Sequence, residues 1–288
     1  MKPLDPSRGV VLALGGGGVR GLAHLGVLAE LERAGVEVRG IAGTSSGALM
    51  GALWLLNGAE PAIRRVRTFV GSGLVEDVPD LIGTADTGGG SGFWRHLRRV
   101  ATLILAIVRG PFLSRQQLLD RVAFLLPETR IEALPSPFVV IATDTTTGEE
   151  AWLTRGSLRL AVAASSAMPG LASPIIWEGR PMQDGGAVAE IPVRAARAIG
   201  APVVAVEVSE GLPPLTRRAD RIPTALFRAS AMGWAELRRR ILEEADAVIA
   251  PAVNHLHWAA YRGLDEAVEA GRVAARSFLT EAGLRLEA

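Results

Sequence analysis

Five consecutive apolar residues, Val10–Leu14, run straight into four glycines, Gly15–Gly18, and then into a segment with helical spacing. A continuous apolar run of strand length suits a strand buried on both faces, the condition inside a parallel sheet. Four glycines are entropically costly to order, so the loop behind this strand needs close backbone approach or conformations that side chains forbid. The pattern recurs one element later. Val38–Ala42 reads as a second strand, followed by Gly43-Thr44-Ser45-Ser46-Gly47 and an apolar helical segment, Ser46–Leu56, stopped at Asn57-Gly58.

Phe138–Ala142 and Val203–Val208 read as further buried strands. Val19–Arg33, Leu158–Ala164, Val193–Ile199, Ile222–Ala247 and Leu264–Ala282 read as helices. Strands alternating with helices predict an α/β fold, a sheet sandwiched between helix layers. With 288 residues and 49% hydrophobic content, one large α/β domain spanning 1–288 is expected.

One stretch interrupts the rhythm. Residues 83–92, GTADTGGGSG, have the composition of a flexible linker. They lead into Trp94–Arg109, where Arg95, Arg98, Arg99, Thr102 and Arg109 share one arc of a helical wheel and apolar residues fill the remainder. This insertion at about 83–110 has two readings. One is a basic amphipathic helix in peripheral contact with a membrane through residues 94–109. The other is an ordinary helix packed on the core with an arginine rim.

Net charge is +1 with acids and bases spread along the chain, so no concentrated basic face points to nucleic acid. The absence of cysteine excludes disulfides, thiolate metal sites and cysteine catalysis, and accords with a reducing compartment. The first residues, MKPLDPSRG, hold no apolar core of a secretory leader. The longest uncharged apolar stretch, Val100–Val108, is far short of the ~20 residues that span a bilayer. The expectation is a cytoplasmic protein, peripheral at the inner membrane face if the basic helix docks there.

The glycine loop admits two chemistries. Gly16, Gly18 and Gly21 fit G-x-G-x-x-G, with Glu37 about 20 residues on as a ribose-binding acid, the pattern of a dinucleotide site. Against this, Glu37 falls before the second strand, and the loop after that strand is a G-x-S-x-G nucleophile elbow centred on Ser45, flanked by Gly43 and Gly47. In that setting the N–H groups of Gly16, Gly17 and Gly18 face a substrate oxyanion, and Arg20 braces the loop. Ser46 does not centre the glycines.

A serine hydroxyl needs a base. His24 shares a helix face with Leu28 and Leu31 and reads as a core histidine; His96 belongs to the basic helix. His255 and His257 lie in a polar, loop-like segment, and Ser45, Asp184 and His255 follow the chain order of a Ser-His-Asp esterase. The alternative base is Asp184 itself, whose Gly185-Gly186 turn presents a carboxylate at a strand end. On spacing alone a plain Asp-Gly turn is the stronger reading.

Several ordered motifs together resemble one family. LGGGGVRGLAHLGVL, GTSSGA, ATDTTTGEE, AVAASSAMPGLASPI with Ala164, Ser165 and Pro169, DGGAVAEIPV and ADAVIAP are similar to the motif blocks of the bacterial patatin-like phospholipases, over most of the chain. The resemblance implies a three-layer α/β/α fold with a mostly parallel sheet. It implies lipid acyl-ester hydrolysis by a Ser45–Asp184 dyad, of phospholipase A or lysophospholipase type, with no metal or other cofactor. It further implies an oxyanion site at Gly16–Gly18 with Arg20 in the motif's basic position. The insertion at 83–109 matches none of these blocks.

Overall fold

The computed structural model describes residues 9–74, 113–200, 202–209, 211, 222–257, 259 and 261–283. An eight-stranded sheet forms the centre: β1 (Val10–Leu14), β2 (Val38–Thr44), β3 (Phe138–Asp144), β4 (Glu150–Leu153), β5 (Ile175–Trp177), β6 (Arg180–Asp184), β7 (Val203–Val206) and β8 (Ala247–Ile249). Strands β3, β2, β1, β7 and β8 pair in that order, all parallel. Strands β4 and β6 run antiparallel to β3, and β5 antiparallel to β6.

The register around β3 positions everything that follows. Strand β4 takes one edge, pairing Val140–Thr143. The other edge is shared: β2 covers it from Phe138 to Ile141, and β6 takes over from Ala142 to Asp144. Two strands running in opposite directions therefore meet end to end on one edge of β3.

Alternation along the parallel strands divides the interior into two layers. Val10, Leu12 and Leu14 of β1 and Val204 and Val206 of β7 face one core, with Leu25, Leu53, Ile63, Leu118, Leu158 and Leu279. These come from α1 (Ala23–Arg33), α2 (Ser46–Asn57), α3 (Ala59–Gly71), α4 (Arg115–Leu125), α5 (Leu158–Ser165) and α8 (Leu264–Glu281). Val11, Ala13, Val203 and Ala205 face the other core. It is closed by Val193 and Ala196 of α6 (Val193–Ile199) and Ile241 and Leu242 of α7 (Ile222–Glu243). The fold is a three-layer α/β/α sandwich.

Some sequence expectations are corrected. The helix expected over Val19–Arg33 is a 3-10 turn, Gly18–Leu22, followed by α1. The helix expected over Ile222–Ala247 ends at Glu243. Asp246 there turns the chain into β8, its carboxylate accepting the Val203 N–H at 2.8 Å. Helices α3 and α4 and the antiparallel strands were not legible as apolar runs. The sequence did carry one start signal for α4, a capping box in which Ser114 and Gln117 exchange hydrogen bonds. The linker and basic helix at about 83–110, with His96, lie outside the described residues. Among the described residues no helix is long and apolar enough to cross a membrane.

Candidate active site

Ser45 stands between β2 and α2 with φ 53° and ψ −119°. Positive φ is uncommon for a residue with a Cβ and persists only where the surroundings enforce it. A Cβ on Gly47 would lie 2.1 Å from the Leu14 carbonyl oxygen, and one on Gly43 would lie 2.6 Å from Ala48 Cα. The elbow is thus packed too closely for side chains on either flank. Thr44 Oγ1 donates to the Ala189 carbonyl at 2.9 Å, and the Ser45 N–H donates to Ser165 Oγ at 2.7 Å. Helix α2 begins at Ser46, so the positive end of its dipole lies beside the Ser45 side chain.

Asp184 is the last residue of β6. Thr44 pairs with Ile141 and Asp184 with Ala142, consecutive residues of β3 about 3.3 Å apart along the strand. The serine leaving β2 and the aspartate ending β6 are brought together by this abutment. The two side chains line the same cavity. The Gly186 N–H donates to Asp184 Oδ1 at 2.7 Å, and Thr143 Oγ1 to the Asp184 carbonyl at 2.8 Å. Gly185 packs against β3, where a Cβ would fall 2.5 Å from the Ile141 carbonyl oxygen. Burial pushes the Asp184 carboxyl up to about 6, against the pull of the Gly186 N–H and the nearby Ser45 hydroxyl; the charge of Glu190 adds to the rise.

The glycine loop lies beside the elbow because Leu14 pairs with Gly43. Its amides are not equivalent. The Gly16 N–H donates to the Glu190 carbonyl at 2.9 Å, so the expectation that it faces an oxyanion is corrected: that donor is spent within the fold. The N–H groups of Gly17 and Gly18 have no acceptor among the described residues, and Gly18, at φ 59°, lines the cavity in front of Ser45. Gly21 packs on α2, its absent Cβ leaving room for Ser46 Oγ at 2.1 Å. Arg20 is 5% exposed and does not line this cavity.

Two further expectations resolve. His24 is fully buried with Nε2 2.8 Å from the Gly15 carbonyl oxygen, and burial pushes its pKa down to about 4. It is a neutral donor that holds the start of the loop. Glu37 is exposed, paired with Arg39 at 3.3 Å, and precedes Val38, which pairs with Val10 at the far end of β1 from the glycines. It is on the wrong edge of the sheet for a ribose, which overturns the dinucleotide pattern.

Ser45 and Asp184 open into a cavity of about 320 Å³. Most of its wall is apolar, including Leu22 and Leu49 from the elbow side and Phe69, Leu118 and Leu171 opposite in sequence. His255 is exposed and pairs with Glu266 at 2.7 Å, and neither it nor His257 lines this cavity. Among the described residues no group of three histidine or acidic side chains is placed to hold a metal ion. Sequence reasoning gave no role to Ser165, which is fully buried behind Ser45. Nor did it single out Arg121 and Tyr261 on the cavity wall.

The family model for patatin-like phospholipase matches residues 12–197. An uncharacterized NTE family protein of Mycobacterium tuberculosis is 32% identical over 94% of this chain and 46% of its own length. Patatin-like phospholipase domain-containing protein 6 of Mus musculus is 30% identical over 84% of this chain and 16% of its own length. A crystal structure of VipD from Legionella pneumophila superposes with a TM-score of 0.45 at 14% identity, covering 96% of this chain and 67% of that one. The chain spans less than half the length of the mycobacterial relatives it matches. A family match over residues 12–197, from β1 through the elbow and the Asp-Gly-Gly turn into α6, places this chain in the patatin-like phospholipase family.

Proposed function

We propose that this protein is a serine hydrolase of lipid acyl esters, acting through Ser45 and Asp184. The observation that carries the reading is the placement of Ser45 next to the buried carboxylate of Asp184, both on the wall of one largely apolar cavity. Ser45 Oγ attacks the ester carbonyl carbon while Asp184 takes its proton. The carbonyl oxygen becomes an oxyanion facing the N–H groups of Gly17 and Gly18, aided by the α2 dipole. Collapse breaks the bond to the leaving alcohol, which takes the proton from Asp184 and departs. Water then gives a proton to Asp184 and attacks the acyl-serine; the fatty acid leaves and Ser45 regains its proton.

A desolvated carboxylate is a stronger base than one in water, because burial disfavours its charged form. That lets an aspartate do work that histidine does in a triad. The cavity is at the small end of the usual range for ligand sites, about 300–1,000 Å³, and its apolar wall suits one acyl chain. A single-chain ester, as in a lysophospholipid, is the substrate this favours. The same proposal includes peripheral membrane contact through residues 94–109, which rests on their sequence alone.

A fluorophosphonate probe tests the reading. Wild-type protein is expected to be labelled at Ser45 and to turn over a short-chain nitrophenyl ester, and Ser45→Ala to lose both. Turnover retained in Ser45→Ala overturns it, and loss of activity in His255→Ala transfers the base to a histidine. Vesicle co-sedimentation that ignores deletion of residues 88–110 removes the membrane contact.

A further inference from the structure

The polar side chains on the cavity wall fall into two groups. Ser45, Ser46, Ser166 and Asp184 belong to the elbow and its neighbours; the others are Arg121 and Tyr261. Arg121 projects from the face of α4 that also supplies Leu118, Val122 and Leu125 to the same wall. Among the described residues no carboxylate pairs with it, although acids neutralise most of the other arginines near the sheet, such as Arg238 at Glu190 and Glu207. Tyr261 is partly buried, and the positive charge of Arg121 reaches its hydroxyl. Burial pushes the phenol's pKa up, so the hydroxyl stays protonated and can donate.

A cation on an apolar wall loses hydration that no carboxylate among the described residues returns. Arginine offers a planar fork of N–H donors that fits phosphate oxygens, and a phenol supplies one more. When an acyl carbonyl occupies the Ser45 position, the remaining anion of an acyl phosphoglyceride is its phosphate, whereas a monoacylglycerol has none. We propose that Arg121 and Tyr261 form an anion subsite that holds the phosphate of the substrate and sets a preference for phosphate-bearing acyl esters over neutral ones. This rests on the hydrolase reading of Ser45 and Asp184.

The test is the ratio of kcat/KM for a lysophosphatidate to that for a monoacylglycerol of the same chain, measured with the full chain. Arg121→Gln is expected to lower the ratio by about tenfold or more, mostly through KM, as befits the loss of a charge-assisted hydrogen bond. Tyr261→Phe is expected to lower it by less. Arg121→Lys, which keeps the charge without the fork, is expected to fall between wild type and Arg121→Gln, and it serves if the glutamine variant does not fold. A ratio unchanged in both Arg121 variants overturns the subsite and leaves the Ser45 chemistry standing. Wild-type protein that hydrolyses neither lipid nor the nitrophenyl ester overturns both.

Discussion

The Ser45 amide donates to the Ser165 hydroxyl at 2.7 Å, from a fully buried position at the end of α5. The strained backbone of Ser45 is thus held from behind by a side chain that does not line the cavity. Ser165→Ala leaves a buried N–H unpaired, a loss of about 1–3 kcal/mol. Part of it should appear at the elbow as a misplaced Oγ. We expect kcat to fall by about 10- to 100-fold with KM little changed. Steady-state kinetics on a soluble ester, with a thermal melt to verify folding, make the check. An equal fall in all parameters, accompanied by loss of fold, would assign Ser165 a packing role only.

In the proposed reaction Asp184 must be ionised to take the serine proton, and burial raises its carboxyl to about 6. The activity profile should therefore rise with pH through an acidic limb near 6, two units above a free aspartate. A pH series of kcat/KM on a non-ionising ester reads this directly. A limb near 4 would mean that the carboxylate is solvated in the working enzyme.

The same shift predicts a stability cost. The folded-state value, about 6, lies above the ordinary 3.8, so the fold prefers protonated Asp184. That preference is fully present below pH 3.8 and is lost as pH rises through 6. At about 1.4 kcal/mol per unit, ionisation costs about 3 kcal/mol at neutral pH. Asp184→Asn should be inactive yet melt higher than wild type at pH 7.5, with the gap closing toward pH 4. A gap that does not change with pH would contradict the burial origin of the shift.

His24 pulls the other way. Its folded value, about 4, is below the ordinary 6.5, so the stability it contributes is present above 6.5 and lost as pH falls toward 4. The full change is about 3 kcal/mol. Since Asp184 gains over much of the same window, wild type should show only a shallow slope between pH 6.5 and 4. Urea midpoints should resolve it: His24→Gln, free of the titrating ring, is expected to gain stability toward pH 4, while Asp184→Asn should lose it steeply. Parallel curves for the two variants would refute the opposition.

Much of this molecule is written locally. The apolar run at Val10–Leu14 became a parallel strand because a strand buried on both faces needs apolar residues at every position. Gly43 and Gly47 marked the elbow because a Cβ at either would collide with backbone a few residues away or on the adjoining strand. Edge elements were harder to read. Strand β6, RPMQD, buries only Met182 and Asp184 fully and has no apolar run to announce it.

What the sequence determined by itself is the pair of strand–glycine–helix units and the serine at the turn of the second, since steric rules act between near neighbours. The tertiary structure alone decided the rest. It abutted β6 on β2 along one edge of β3, and so set Asp184 against Ser45. It spent the Gly16 amide on Glu190 while leaving those of Gly17 and Gly18 without an acceptor among the described residues, and it buried Asp184 deeply enough to raise its proton affinity. Pairing and desolvation depend on segments far apart in the chain, and no local pattern in the sequence carries them.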